Sequence, residues 1–285
     1  MAKILPLFVV LLTSNVSFGT QLTYATLNVP GATDTFAEGI CGNSIVGFYI
    51  DSLSVYHGFL YNGSTYTTLN AVRAEGISGN TIVGEYDASN GFLYNGSTYT
   101  KLYEYSPYGV SGNNVVGNYG AGGAQRHGFL YNGSTYTTLD VPGANYGTEA
   151  CGIYGNTIVG SYQSGSYTHG FIYNGGTYTT LDVPGEINTY ACGIFGNCVV
   201  GGYHGGMGGF LYNGSTYTTM TVPGATQTYA TGIYDNDIVG VYYGADGHAH
   251  GFLTTATPEP STLAMLGACA VGLLGYAWRR RRRAR

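Results

Sequence analysis

Apolar and polar positions alternate with a period of two along most of this chain, in short runs broken by Gly and Asn. Runs such as "GFLY", "TYTTL" and "IVGEY" are too short for helices and rich in aromatic and β-branched residues, so they read as strands. The runs recur in fixed order. The Phe of "GF" stands at Phe59, Phe92, Phe129, Phe171, Phe210 and Phe252, at spacings of 33, 37, 42, 39 and 42 residues. A second phrase, "GI.GN.IVG.Y", accompanies it at Gly39, Gly76, Gly109, Gly152, Gly193 and Gly232. Six units therefore tile Tyr24 to about Thr254.

Asn-Gly between two β-forming runs is a strong hairpin signal, and it recurs at Asn62, Asn95, Asn132 and Asn213, and as "NGG" at Asn174. With Asn62 and Gly63 as a two-residue turn, Phe59 is expected to face Tyr66. Alternation then puts Phe59, Tyr61 and Tyr66 on one face and Leu60 and Leu69 on the other. In "GISGNTIVGEY" a Gly-Asn turn joins two further strands, and the adjacent Ile82 and Val83 point to opposite faces. Apolar side chains on both faces mean a sheet packed between two others. A period near 40 residues with four strands per unit is the pattern of a propeller blade, so the expected fold is an all-β, six-bladed β-propeller. The alternative is an open β-solenoid. Because the chain enters at "YATLNV" and leaves at "HGFLTT", its first strand can complete the last sheet and hide its edge.

Composition agrees: 48 Gly, 29 Tyr and only 9% charged residues fit an exported β protein. "MAKILPLFVVLLTSNVSFG" carries one Lys, an apolar stretch from Ile4 to Leu12 and small residues Ser17 and Gly19, so residues 1–19 read as a secretory signal peptide. The repeats occupy 20–257. Residues 258–285 form an anchor segment, apolar from Leu263 to Trp278 and followed by Arg279–Arg283. That stretch is at the short limit for a transmembrane helix, and its Arg cluster should stay cytoplasmic with the repeats outside.

The Pro-Glu-Pro triplet (Pro258, Glu259, Pro260), the apolar helix and the run Arg279, Arg280, Arg281, Arg282, Arg283 together resemble the PEP-CTERM sorting signal of bacteria. The resemblance implies recognition by an exosortase, a membrane enzyme of organisms that make exopolysaccharide and biofilm. The "HGF" strands at His57, His127, His169 and His250, with "TLDVPGA" and "N.IVG.Y", resemble the bacterial extracellular HAF repeats. Gly stands where that family has Ala, and the likeness implies fold and location rather than chemistry.

Within 20–257 only Arg73, Lys101 and Arg126 oppose fourteen acids, every acid of the chain but Glu259, for a net charge of about −11. Such a charge repels nucleic acid and leaves no basic footprint for it.

A catalytic centre in such a ring has to break the repeat. The irregular polar residues include Asp51, Arg73, Glu104, Arg126, Glu149 and Glu186, with no nucleophile elbow, HExxH or phosphate loop among them. The slot before "GI" holds Glu38, Glu75, Tyr108, Cys151, Cys192 and Thr231. If it lined the channel, Glu38 and Glu75 would be neighbouring carboxylates able to hold a cation or raise one another's pKa. The four repeated His are expected to bond neighbouring loops rather than a metal, since blade-related side chains converge only on the axis. "YDNDI" at Tyr234–Ile238 reads as turn chemistry rather than a Ca²⁺ loop. Cys192 and Cys198 flank one hairpin and are the candidate disulfide pair, with free thiols the default for Cys41, Cys151, Cys192 and Cys198. The "NGST" sequons at Asn62, Asn95, Asn132 and Asn213 read as turns, and repeated Tyr such as Tyr61 and Tyr66 as core before sugar platforms.

The expectation is a non-catalytic surface or matrix interaction protein, without cofactor or metal. Its partners would be an exosortase, the membrane through the C-terminal helix, and exopolysaccharide or a matrix protein. The alternative is a propeller-fold glycan hydrolase or lyase using irregular carboxylates such as Glu104 with Glu149.

Overall fold

A computed structural model describes residues 20–87, 89–120, 125–203 and 207–258. Residues 1–19, the apolar stretch Leu263–Trp278 and the sorting-signal residues Glu259, Pro260 and Arg279–Arg283 lie outside the described residues. Leu22–Ala256 form one compact unit. Among the described residues no helix is long and apolar enough to cross a membrane.

The described strands form six four-stranded antiparallel sheets, the blades of a β-propeller. Blade 1 comprises β2 (Asp34–Cys41), β3 (Ser44–Ile50), β4 (Tyr56–Tyr61) and β5 (Tyr66–Thr68). Blade 2 comprises β6 (Arg73–Ser78), β7 (Thr81–Asp87), β8 (Asn90–Tyr94) and β9 (Tyr99–Tyr103). Blade 3 comprises β10 (Tyr105–Ser111), β11 (Asn114–Tyr119), β12 (His127–Tyr131) and β13 (Tyr136–Leu139). Blade 4 comprises β14 (Thr148–Tyr154), β15 (Thr157–Ser164), β16 (Tyr167–Asn174) and β17 (Thr177–Leu181). Blade 5 comprises β18 (Thr189–Phe195), β19 (Cys198–Tyr203), β20 (Gly208–Tyr212) and β21 (Tyr217–Met220). Blade 6 takes β22 (Gln227–Tyr234), β23 (Asp237–Tyr243) and β24 (Ala249–Pro258), and its outer strand is β1 (Thr20–Leu27) from the start of the repeats.

The adjacent apolar pair of each second strand welds neighbouring blades. Ile45 packs with Phe59, Leu27 and Val239, while Val46 turns the other way onto Ala74, Ile82 and Phe92. Ile82 and Val83 divide between successive interfaces in the same manner. Val239 of blade 6 joins blade 1, which closes the circle. The six repeated Phe are no more than 1% exposed; each such side chain contributes about 1.5–3 kcal/mol by burial. The Gly of "IVG" is needed because the Phe ring covers it: a Cβ on Gly47 would lie 3.0 Å from the Phe59 ring and 1.9 Å from the Phe36 carbonyl oxygen.

The hairpin register differs from the sequence expectation. Tyr61 pairs with Tyr66 and Phe59 with Thr68, so the reversal is centred on Gly63 and Ser64 rather than on Asn62 and Gly63. The Asn62 side chain causes the shift. Its Oδ1 accepts from the backbone N–H of Ser64 at 3.0 Å and of Thr65 at 2.9 Å, holding Asn62 outside the turn. Moving the turn by one residue changes the pairing by two, so Phe59, Tyr61 and Tyr66 still share a face. The Gly-Asn turns are two-residue, as Ser78 pairs with Thr81 and Gly79 takes φ 58°.

Closure follows the repeat. The Thr26 and Tyr242 hydroxyls are 2.9 Å apart across β1 and blade 6, as are the equivalent Tyr49 and Thr68 at 3.1 Å within blade 1. Tyr24 meets Phe252 edge-on at 5.5 Å, as Tyr66 meets Phe59.

Candidate functional site

The first strands of successive blades, β2, β6, β10, β14, β18 and β22, touch one another in a closed circle and line the central channel. Each carries one extra residue opposite its partner strand, between Ala37 and Gly39 in blade 1 and at the equivalent point in the others. The extra residues of these β-bulges are Glu38, Glu75, Tyr108, Cys151, Cys192 and Thr231, the whole slot before "GI". A bulge re-aims its side chain, and all six line one channel mouth. The following glycines form a tight collar: a Cβ on Gly39 would lie 2.9 Å from the Glu75 carbonyl oxygen, and one on Gly232 would lie 2.8 Å from that of Glu38. Any larger residue would push the blades apart. The Thr231 hydroxyl donates to the Ala37 carbonyl at 2.7 Å and ties blade 6 to blade 1 at the axis.

Glu38 and Glu75 thus become neighbours, as the sequence suggested for a channel-lining slot. Burial pushes the Glu38 carboxyl well above the usual carboxylate range, the Glu75 charge adds to the rise, and Arg73 opposes it. Burial, then Glu85, raises Glu75 to about 7 against Arg73. The Cys192 thiol is raised to about 12 by burial and then by Glu38 and Glu149, and Cys151 is pushed up chiefly by burial. Both stay protonated near neutral pH, which makes them poor nucleophiles.

Two residues earlier on these strands lies a tier in which the repeat loses its identity: Phe36, Arg73, Ser106, Glu149, Tyr190 and Tyr229. On one side of the mouth Phe36 stacks on Phe48 at 4.4 Å, the Arg73 guanidinium lies 4.4 Å from the Phe48 ring centre, and Arg73 meets Glu85 at 3.6 Å. On the other side a cleft of about 420 Å³ opens among blades 3, 4 and 5, lined by Arg126, Tyr146, Glu149, Gln163, Thr168 and Tyr190 among others. Glu149, Ser161 and Tyr190 also line the channel mouth, a cavity of about 290 Å³, so the two spaces adjoin at these side chains.

Two irregularities build this cleft. The β11–β12 connection delivers Arg126, and the segment entering blade 4, "VPGANYGTEA", is one residue longer than "VPGATDTFA" entering blade 1. The two chains lie side by side where Arg126 bridges Gly147, whose φ of 132° and lack of a Cβ allow the contact. The Arg126 carbonyl accepts from Thr148 N–H at 3.0 Å. The Arg126 guanidinium donates to Glu149 Oε1, which also accepts from the buried Asn118 amide at 3.3 Å, and that amide reaches the Tyr108 hydroxyl at 3.2 Å. Sequence analysis named Arg126 and Glu149 as irregular but did not bring them together. It missed Asn118, Tyr146, Ser161 and Tyr190, whose one signal is that they occupy slots the repeat leaves variable from blade to blade.

Other candidates disperse. Glu104 takes φ 65° in the β9–β10 connection and lines neither cavity, so the pair Glu104 with Glu149 is not assembled. The ring nitrogens of His57, His127 and His169 lie 2.8–2.9 Å from Asp51, Asp140 and Asp182, and His250 lies 3.1 Å from Asp246. Each is the loop partner expected, and each His lies against a Tyr of its own blade, as His57 does at 5.0 Å from Tyr49. Among the described residues no three His, Cys, Asp or Glu side chains gather in a metal-binding arrangement. Cys192 and Cys198 are free thiols. Cys192 is spent on the axial bulge while Cys198 pairs with Phe195 beside the turn, so the suggested disulfide does not form. Asp235 of "YDNDI" takes φ 55° at the turn position that Gly fills in the other blades, consistent with turn chemistry. Tyr61 and Tyr66 are half-buried against each other at 4.6 Å beside the blade core.

Residues 256–282 match the PEP-CTERM protein-sorting motif, which implies an exported protein, anchored in the membrane before processing and sorted by an exosortase. No curated protein matches the chain. Among solved structures, the β-propeller domain of the Trilobed protease from Pyrococcus furiosus, described as having an open velcro topology, aligns with TM-score 0.51 at 9% identity, over 78% of this chain and 79% of that one. The six-bladed, fucose-binding lectin of Aleuria aurantia aligns with TM-score 0.47 at 11% identity, over 85% and 97%. At these identities the likeness is one of fold, a β-propeller.

Proposed function

We propose that this exported chain is a non-catalytic interaction protein of the cell surface or extracellular matrix, engaging exopolysaccharide or a matrix protein. The observation that carries it is a sorting motif on a closed ring whose sequence departs from its repeat around one mouth. A rigid ring holds such residues at little entropic cost on binding. In this reading Pro258, Glu259 and Pro260 are the exosortase recognition triplet, Leu263–Trp278 the membrane helix and Arg279–Arg283 its cytoplasmic stop. The "HGF" strands support placing the repeats with the HAF family. The test is a pull-down of extracellular polymer and surface proteins with the purified full-length chain, alongside a glycan array. Enrichment of either class is expected, and enrichment of neither would overturn the proposal.

A hydrolase or lyase is the second reading. It is favoured by Glu38, Glu75 and Glu149 around one mouth, where burial raises the Glu75 carboxyl to about 7. Release of new saccharide ends from the polymer, abolished by Glu75→Gln, would replace the non-catalytic reading with this one.

A further inference from the structure

The cleft among blades 3, 4 and 5 differs from the rest of the ring in three ways that together specify a ligand. It is concave, and about 420 Å³ lies within the roughly 300–1,000 Å³ typical of small-ligand sites. It presents a flat aromatic surface, because the Tyr146 ring, 62% exposed, stands at the rim with Tyr190 further in. The same lining carries donors and acceptors already fixed in place. Glu149 is held by Arg126 and Asn118, Asn118 is buried against Tyr108, and Ser161 is only 4% exposed. Gln163, whose backbone N–H donates to the Gly147 carbonyl at 3.1 Å, and its strand partner Thr168 supply further hydrogen-bonding groups.

Charge narrows the class. Arg126 is the one cation among the lining residues of the two adjoining cavities, and its charge is engaged by Glu149. Glu38 and Glu75 stand in the adjoining mouth. An anionic ligand would meet the field of repeats that carry a net charge of about −11, with the Glu149 carboxylate in the cleft wall. A cationic one would need Glu149, whose Oε1 is already shared by Arg126 and Asn118. An uncharged ligand with many hydroxyls and an apolar ring face meets neither obstacle.

We propose that this cleft is a saccharide-binding site for a neutral polysaccharide segment, one sugar ring lying on Tyr146 and its hydroxyls meeting the Arg126–Glu149 pair, Gln163 and Thr168. The inference rests on the interaction reading above and adds to it a place and a ligand class. Both Arg126 and Tyr146 are more than 60% exposed, so an internal stretch of a polymer can enter from the side without threading an end.

The test is an array of neutral, uronic-acid-bearing and amino-sugar oligosaccharides probed with the full-length chain, followed by titration calorimetry on the best neutral binder. Tyr146→Ala is expected to weaken binding about five- to tenfold, the value of one aromatic stacking face. Tyr146→Phe should retain it. Thr168→Val should weaken it less, and Tyr103→Ala, an equally exposed ring on the outer strand of blade 2, should leave it unchanged. Neutral-saccharide binding that Tyr146→Ala and Thr168→Val both leave intact overturns the cleft while the interaction reading stands. A preference for uronic acids or amino sugars overturns the ligand class. Capture of a matrix protein with no saccharide bound also overturns this site and leaves the broader reading in place; no binding of any kind removes both.

Discussion

At the scale of single residues, buried Thr side chains show how a short motif becomes structure. The loop "VPGA" enters blades 1, 4 and 6, and each time a Thr a few residues on accepts the Val N–H through its hydroxyl: Thr35 from Val29 at 3.1 Å, Thr148 from Val141 at 3.0 Å and Thr228 from Val222 at 3.1 Å. Each of these Thr is 1% exposed, so no water can substitute. Thr228→Val keeps the shape and orphans a buried N–H, which costs about 1–3 kcal/mol; thermal unfolding of the variant should show a corresponding drop in Tm. Asn62 teaches the converse lesson. Asn-Gly announced a hairpin, yet the centre of the turn was decided by where the Asn oxygen finds its donors. Asn174 is followed by Gly175 and Gly176, both at positive φ, and there pairing continues through Asn174 and Thr177.

Among elements, the innermost strands carry the chemistry. Their sequence identified the slot but not the bulge, because an inserted residue leaves the local pattern of apolar residues looking continuous. The bulge aims Glu38 and Glu75 at the axis, and this has a consequence for stability. A carboxyl whose folded pKa is raised keeps its proton in the fold after the unfolded chain has lost it, so stability falls as pH rises between the two values. For Glu75 the window runs from the ordinary 4.5 to about 7, and Glu38 shifts in the same direction. Below the window the group is protonated in both states and contributes nothing; above it the penalty is complete. Tm is therefore expected to decline from pH 5 to pH 8 more steeply in the natural chain than in Glu75→Gln. The variant should gain at pH 8 and differ little at pH 5. Equal slopes in a pH-dependent melting series would show that the Glu75 carboxyl is not confined at the axis.

For the whole molecule, closure through β1 makes six modest sheets one cooperative body. A linear array would melt repeat by repeat, as a sum of neighbour contacts, whereas a ring loses its last interface only when all are strained. Leu27 packs in the cluster that joins blade 6 to blade 1, and Tyr24 covers Phe252. The double variant Tyr24→Ala with Leu27→Ala removes both; Leu→Ala in a core alone costs about 2–5 kcal/mol. Followed by near-ultraviolet circular dichroism of the many Tyr, the natural chain is expected to unfold in one transition, and the double variant at lower temperature in a broadened or divided one. A variant that melts as sharply as the natural chain would mean that the ends do not hold the ring together. The sequence by itself determined the strands, the six units, the two-sided packing of Ile82 and Val83 and the phase that lets β1 finish blade 6. These rest on period-two alternation, turn residues and repetition, all expressed over short stretches of chain. Only the tertiary structure decided which odd residues meet. Arg126, Glu149 and Tyr190 sit on different blades, and their convergence depends on a bulge, one extra residue before Thr148 and the curvature of the closed ring. That geometry is set by how whole sheets pack around an axis, which a local pattern of residues does not encode.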